Sequence, residues 1–247
     1  MTYHIFFSPT GITEKAVRYA GKRFSAAADI DLSKTDLSNY VLGAGDFVIA
    51  GVPSFGGRVP QTAAARFQQI KGDRTPAVLL VTYGGRAYED TLKELRNILE
   101  MQGFICIGAA AMVAEHSIIR QIETGRPDAK DYSQLDHFII EIKKRLQTGI
   151  SSIEVPSNMP YKEYRVSPME VHASGDCVRC GACAKKCPVA AIPLENPQVT
   201  DHKICISCMR CVSICPFHAR SGSPDKMDGI YEKLKKICTP NKPNEFL

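Results

Sequence analysis

Cys177-Val178-Arg179-Cys180-Gly181-Ala182-Cys183-Ala184-Lys185-Lys186-Cys187-Pro188 recurs 28 positions later as Cys205-Ile206-Ser207-Cys208-Met209-Arg210-Cys211-Val212-Ser213-Ile214-Cys215-Pro216. Each copy reads C-x2-C-x2-C-x3-C-P. Iron clusters take soft thiolate ligands. Three cysteines at intervals of three wrap a tight loop round one cubane. The fourth lies a helical turn further on, points away, and ligates the partner cluster. The spacing therefore assigns Cys177, Cys180, Cys183 and Cys215 to one 4Fe–4S cluster. Cys205, Cys208, Cys211 and Cys187 hold another. Pro188 and Pro216 end the ligand segments and direct the chain away. A pair of zinc knots is the competing reading. Zinc sites, however, join two separated Cys-x2-Cys units and have no use for a doubled C-x2-C-x2-C-x3-C-P.

Working outward, the other two of the ten cysteines are Cys106 and Cys238. Cys106 sits within a strand pattern and reads as an inert buried thiol; Cys238 reads as a free thiol in the tail. So local an excess of cysteine is unlike the dispersed framework of a secreted disulfide protein. Upstream, residues 1–148 alternate short apolar runs with helical patterns. The expected strands are Tyr3–Phe7, Asp29–Leu32, Phe47–Gly51, Ala77–Val81 and Phe104–Met112. Val48-Ile49-Ala50 and Val78-Leu79-Leu80-Val81 are continuous apolar runs, as parallel strands covered on both faces require. Helical stripes run over Thr13–Phe24, Tyr88–Met101 and Tyr132–Leu146, with Gly149 placed to cap the last. Strands alternating with helices predict a doubly wound α/β sheet. Residues 149–174, broken by Pro156, Pro160 and Pro168, read as a linker to a cluster domain at 175–220. The tail, 221–247, has one helical candidate, Met227–Ile237, and then Pro240 and Pro243.

Three loops of the first unit have a composition that can hold a ligand. Ser8-Pro9-Thr10-Gly11-Ile12-Thr13 follows the first strand and opens a helix. Hydroxyls and free N–H groups at a helix N-terminus bind a phosphate without Lys or Arg, although such loops are also ordinary helix caps. Pro53-Ser54-Phe55-Gly56-Gly57-Arg58 follows the third strand, and Tyr83-Gly84-Gly85-Arg86-Ala87-Tyr88 the fourth. Both sit at strand C-terminal ends, where doubly wound folds bind ligands. Both join glycines, which let the backbone approach a flat ring, to an aromatic that can stack on it. Plain core packing for Tyr88 and surface charge for Arg58 or Arg86 are the alternatives. Gly43-Ala44-Gly45-Asp46 precedes a strand, whereas a dinucleotide fingerprint follows one, so it marks no nucleotide site.

The cysteine segment resembles the bacterial two-cluster ferredoxins, small α+β units that carry single electrons. Residues 1–148 resemble a short-chain flavodoxin, which implies a five-stranded sheet in the order 2-1-3-4-5 and FMN as cofactor. Carried over, that resemblance puts Ser8, Thr10, Gly11, Ile12 and Thr13 at the FMN phosphate. It puts Phe55, Gly56, Gly57, Tyr83, Gly84 and Gly85 along the ring, with Pro53, Ser54, Arg86 and Tyr88 in the same loops. Ser8 stands where flavodoxins usually have Thr. The chain has no Trp, so Phe55 or Tyr83 must flank the flavin. The whole resembles the flavodoxin–ferredoxin fusions of anaerobes, and Glu115-His116-Ser117 and Gly125-Arg126-Pro127-Asp128 look like that family's segment after strand five.

The net charge of +5 is a metal-free figure. Each oxidised cluster contributes about two negative charges and an FMN phosphate up to about two more, so the loaded protein nears neutrality. No long basic run supports a nucleic-acid partner. The longest apolar run, Phe104 to Ala114, is short of the ~20 residues of a membrane helix, and no leader pattern is visible, so a cytoplasmic protein is expected. The leading expectation is an electron carrier with protein redox partners. The alternative is an FMN-dependent oxidoreductase fed by the clusters, with His116 as proton donor because His titrates near neutrality.

Overall fold

The computed structural model describes residues 1–24, 27–34, 39–165, 167, 169–239 and 241–247. Pro168 and Pro240 lie outside the described residues. Strand β1 (Thr2–Phe6), β2 (Ala27–Asp31), β4 (Phe47–Pro53), β6 (Thr75–Tyr83) and β7 (Phe104–Val113) form a parallel sheet. A sixth strand, β10 (Glu245–Phe246), closes the β7 edge antiparallel, and the spatial order is β10-β7-β6-β4-β1-β2. Counted along the chain, the five parallel strands lie 2-1-3-4-5, the doubly wound order of flavodoxin. Short strands β3 (Tyr40–Leu42) and β5 (Ile70–Gly72) pair beside it.

The apolar runs are continuous because alternate residues serve opposite cores. Val48, Ala50, Val52, Leu79 and Val81 face one core, which α2 (Gln61–Phe67) and α3 (Thr91–Met101) complete with Phe67, Leu92, Leu95 and Leu99. Ile49, Val78 and Leu80 face the other, completed by Val17 and Ala20 of α1 (Ile12–Gly21) and Phe138, Ile139 and Ile142 of α4 (Ala129–Thr148). Helix α4 begins earlier than its apolar stripe. Asp128 accepts from the amides of Lys130 (2.8 Å) and Asp131 (3.0 Å), while the Asp131 carboxylate accepts from the Asp128 amide. This reciprocal cap satisfies the first-turn donors.

Helix α3 begins later than expected, so Tyr88 precedes it. Asp90, fully buried at its start, spends its carboxylate on the amides of Asn158 (3.0 Å) and Lys162 (2.7 Å). Residues 149–165 are thereby fastened across the first unit. Ile153 bonds Cys106 backbone to backbone (2.9 Å), and Arg58 donates to the Lys162 carbonyl.

In the cluster unit, β8 (Val171–Ala173) pairs antiparallel with β9 (Arg220–Gly222). The two copies of the motif place single-turn helices α5 (Ala182–Lys185) and α6 (Arg210–Ser213). Helix α7 (Pro224–Ile237) starts at a proline, whose missing N–H costs nothing there. Met209, Leu234, Met169 and Val171 then pack with Ile118 and Ile119, from the loop after β7, into a third core that joins the two units. The tail is a strap: Asn244 Oδ1 accepts from the Val113 amide (2.8 Å), and Leu247 and Ala109 exchange two backbone bonds.

Candidate functional site

The loops after β1, β4 and β6 meet at the C-terminal edge of the sheet around a cavity of about 180 Å³. Thr10, Ile12 and Thr13 line it from the first loop and Pro53, Ser54, Phe55, Gly56 and Gly57 from the second. Tyr83, Gly84 and Arg86 line it from the third. Ser8, Gly11, Gly85 and Tyr88 do not line it. The lining also includes Ala114, Glu115, His116 and Ser117, and, from the cluster unit, Cys208 and Leu234. A second cavity, of about 400 Å³, shares Thr10, Ile12, Glu115 and Ser117 with it and runs between the units.

Of the three hydroxyls expected at the phosphate loop, two have other work. Ser8 accepts from the Glu14 amide (2.9 Å), a first-turn donor of α1, whose N-cap position is Gly11. Thr13 bonds Thr82 side chain to side chain (2.7 Å) and ties α1 to β6. Thr10 and the leading N–H groups of α1 remain. Gly11 holds φ 86°, and a Cβ there would meet open space, so this turn exposes backbone to a ligand. The glycines of the other loops serve the protein's own packing. A Cβ on Gly57 would lie 1.8 Å from Glu89, one on Gly84 2.4 Å from His116, and one on Gly85 2.8 Å from Glu123. Gly57 and Gly84 also line the cavity, so their missing side chains serve loop-on-loop nesting as well as leaving the cavity wall low.

Tyr88 takes the packing alternative. Its ring meets Tyr83 edge-on at 5.4 Å and its hydroxyl donates to Glu245 in β10. Tyr83 is buried, and its hydroxyl has no partner among the described residues. Burial, with the Glu245 charge, holds both hydroxyls protonated. Arg58 is structural, bonded to Glu94 through Nε (2.8 Å) and Nη2 (2.7 Å). Arg86 pairs with Glu89 (2.8 Å), which also accepts from Lys162 (2.7 Å). These bonds, Arg86 first and against the opposing effect of burial, draw the Glu89 carboxyl down to about 2.

His116 packs on Gly84. Its Nδ1 accepts from the amides of Ile119 (3.0 Å) and Ile118 (3.3 Å), which leaves the ring proton on Nε2. Burial first, then the Arg86 charge, pushes its pKa down to about 4. At neutral pH this imidazole is uncharged and has no acidic proton to give, contrary to the expectation that it titrates near neutrality.

The thiols of the C-terminal unit ring two further cavities. Cys177, Cys180, Cys183 and Cys215 line one; Cys187, Cys205, Cys208 and Cys211 line the other. Among the described residues no three His, Cys, Asp or Glu side chains gather as a single-ion site. The repeat is visible in the backbone. Positive φ falls at Arg179 (55°) and Ser207 (53°), Gly181 (74°) and Met209 (60°), and Ala190 (54°) and His218 (50°). Non-glycine residues adopt this conformation at a cost, and the two copies share it at matching positions. Ala191 donates its amide to Cys187 Sγ and Ala219 to Cys215 Sγ, both at 3.3 Å. N–H···S bonds of this kind stabilise cluster thiolates. Cys106 is fully buried and pushed up to about 12 by burial, away from both sets. Cys238 Sγ rests 3.9 Å from the Gly84 carbonyl, against the third loop, and lines neither thiol cavity.

Parts of this chain are similar to known proteins. The 4Fe-4S dicluster domain family matches residues 169–216. The polyferredoxin protein MvhB of Methanothermus fervidus is 34% identical over 67 residues, 27% of this chain and 16% of that protein. The protein of the same name from Methanothermobacter thermautotrophicus is 49% identical over 41 residues, 17% of this chain and 10% of its own length. The chain thus spans a small fraction of the curated relatives it matches. Among solved structures, flavodoxin 1 of Bacillus cereus aligns with a TM-score of 0.43 at 16% identity, over 58% of this chain and 97% of that one. Rubredoxin oxygen:oxidoreductase of Desulfovibrio gigas aligns at 0.43 and 17%, over 59% and 36%. By its own strand order the first unit has a flavodoxin-like α/β fold, and the second contains the segment that matches the 4Fe-4S dicluster domain family. Among the described residues no helix is long and apolar enough to cross a membrane.

Proposed function

We propose that this chain passes single electrons between two 4Fe–4S clusters and an FMN held in the cavity at the sheet's C-terminal edge. The observation that carries this is Cys208, a cluster-type cysteine, which shares that cavity's wall with Phe55 and Tyr83. The residues present suit FMN. The leading N–H groups of α1, with Gly11 open to space, suit a phosphate, and the unpartnered Tyr83 hydroxyl suits a polar ring edge. When bound, FMN supplies one- and two-electron chemistry beside centres that carry one electron each.

The chain's own contribution is to hold and enclose. Thr10 and the start of α1 bind; Phe55 and Tyr83 flank; Leu234 and the Cys208 loop shut water out on the cluster side. His116, its pKa lowered by burial and its Nδ1 accepting backbone amides, offers an Nε2–H hydrogen-bond donor, which favours the carrier over the oxidoreductase alternative. The crossed sets, Cys177, Cys180, Cys183, Cys215 and Cys205, Cys208, Cys211, Cys187, are proposed to ligate the two clusters. The proposed division is 1–148 for flavin and 175–220 for clusters, to which β8 is joined by its pairing with β9, with 149–165 and 221–247 as fasteners. The partners would be one-electron proteins.

The test is anaerobic rapid-mixing reduction of the full chain at several protein concentrations. Released FMN should be about one per chain, and flavin reduction should follow cluster reduction in a phase whose rate does not depend on protein concentration. A rate that scales with concentration, or a chain that binds no FMN, would reject the internal relay. Substrate-dependent turnover well beyond nonspecific flavin reactions would favour the oxidoreductase.

A further inference from the structure

Arg220 occupies in the second repeat the place that Ile192 holds in the first, 28 positions earlier. Both are buried, at 3% and 4% exposed. Ile192 shows that an apolar side chain satisfies this position, so packing does not demand the cation. A guanidinium taken out of water is strongly destabilising unless a negative charge meets it. Arg220 forms no ion pair among the described residues; its bonds go to neutral oxygens. Nη1 donates to Thr200 Oγ1 at 2.9 Å, and Nη2 to the carbonyls of Pro197 and, at 3.5 Å, Val199. Nε is buried without a partner.

The missing negative charge is supplied by the site it faces. Arg220 lines the cavity of Cys177, Cys180, Cys183 and Cys215. Cys183 Sγ lies 3.8 Å from the same Pro197 carbonyl that Arg220 bonds. On the other side, Arg220 shares a cavity wall with Met209, Val212 and Ser213, which flank Cys208 and Cys211 of the second set. An oxidised 4Fe–4S centre with four thiolates carries about two negative charges, and reduction adds one more.

We propose that Arg220 is the shared counter-ion of both clusters, favouring their reduced states and so raising both reduction potentials. The step concerned is addition of one electron to each cluster, from dithionite in the test below; no bond forms or breaks. The inference rests on the clusters and not on the flavin, so failure of the internal relay would leave it standing.

The experiment is an EPR-monitored dithionite titration of the full chain, reconstituted anaerobically with iron and sulfide, as wild type, R220K, R220Q and R220I. R220I copies the first repeat and keeps the packing. The lysine variant should stay near wild type. Both neutral variants should lower both potentials, by about tenfold in each one-electron equilibrium constant, or roughly 59 mV. Unchanged potentials in a fully loaded R220Q or R220I would overturn the proposal, as would a drop in R220K equal to theirs or a shift confined to one cluster. Should both neutral variants fail to retain iron while R220K retains it, charge is the only shared difference and the proposal is supported. Loss of iron from R220K as well would overturn it in favour of a guanidinium-specific structural role.

Discussion

Cys180 and Cys208 hold the same place in two copies of one motif, yet Cys180 is exposed and Cys208 is buried in the wall of the flavin-type cavity. Their neighbours diverge in the same way. Val178 is 58% exposed, while its counterpart Ile206 packs against the core of the first unit. Gly181 of the outer loop is matched by Met209, 4% exposed and packed on Ile118, Ile119 and Leu234. One loop faces solvent; the other is a lid. The difference teaches that the motif specifies a thiolate cage, while the residues between the cysteines decide where the cage is attached. The proposed electron route would follow the same polarity, with the inner cage beside the proposed flavin cavity and the outer one open to a partner.

The sharpest break in that comparison is to remove one ligand at a time. Cys208→Ser should abolish concentration-independent flavin reduction, a loss of at least about a thousandfold in rate if the inner cage is the obligatory neighbour. Cys180→Ser should leave much of the internal exchange intact and slow transfer to an external acceptor instead. Rapid mixing with each variant decides it, and equal losses in both assays would erase the distinction between inner and outer.

A smaller effect is expected from loosening the lid. Met209→Ala removes a buried side chain from the core that joins the units and should cost about 2–5 kcal/mol. Leu194→Ala, at an exposed position beside Gly181, should cost less than about 1 kcal/mol. Urea unfolding followed by loss of cluster absorbance compares the two, and similar midpoints would show that Met209 does not hold the lid.

The smallest effect concerns pH at the inner face. His116 is held near 4 in the fold against an ordinary value of 6.5. The unfolded chain therefore takes up a proton first as pH falls. This contribution costs nothing above about pH 6.5, grows as pH drops toward 4, and amounts to about 1 kcal/mol of lost stability between pH 7.5 and 5.5. His116→Gln should lack it. Unfolding of both proteins at the two pH values measures the difference, and an equal pH response would place the imidazole in contact with water.

Much of this was legible along the chain. The strand runs, the ligand cysteines and the three loops at strand ends were readable because each is a local pattern with its own period or spacing. Other features had no local signature. The β10 strap is two residues long and acquires its meaning only by pairing with β7. Segment 149–165 has a linker's composition, yet Asp90, distant in sequence, staples it down. Ser8 and Thr13 read as phosphate ligands by hydroxyl type, and the fold adds contacts that no local pattern announces, Ser8 with the Glu14 amide and Thr13 with Thr82. Cys208 and Leu234 escaped notice as cavity residues. The one hint was Met209, a large apolar side chain where the first repeat has glycine.

Local spacing in the chain specifies the proposed iron ligands, because thiolate spacing along a tight loop is a short-range property. It also determined the two-faced sheet, because alternation along a strand is short-range too. Long-range packing settled which of the two matching loops covers the cavity at the sheet edge, and that buried Arg220 lies beside the thiol sets with no ion pair among the described residues. Those outcomes depend on contacts between residues far apart along the chain, such as Met209 with Ile118.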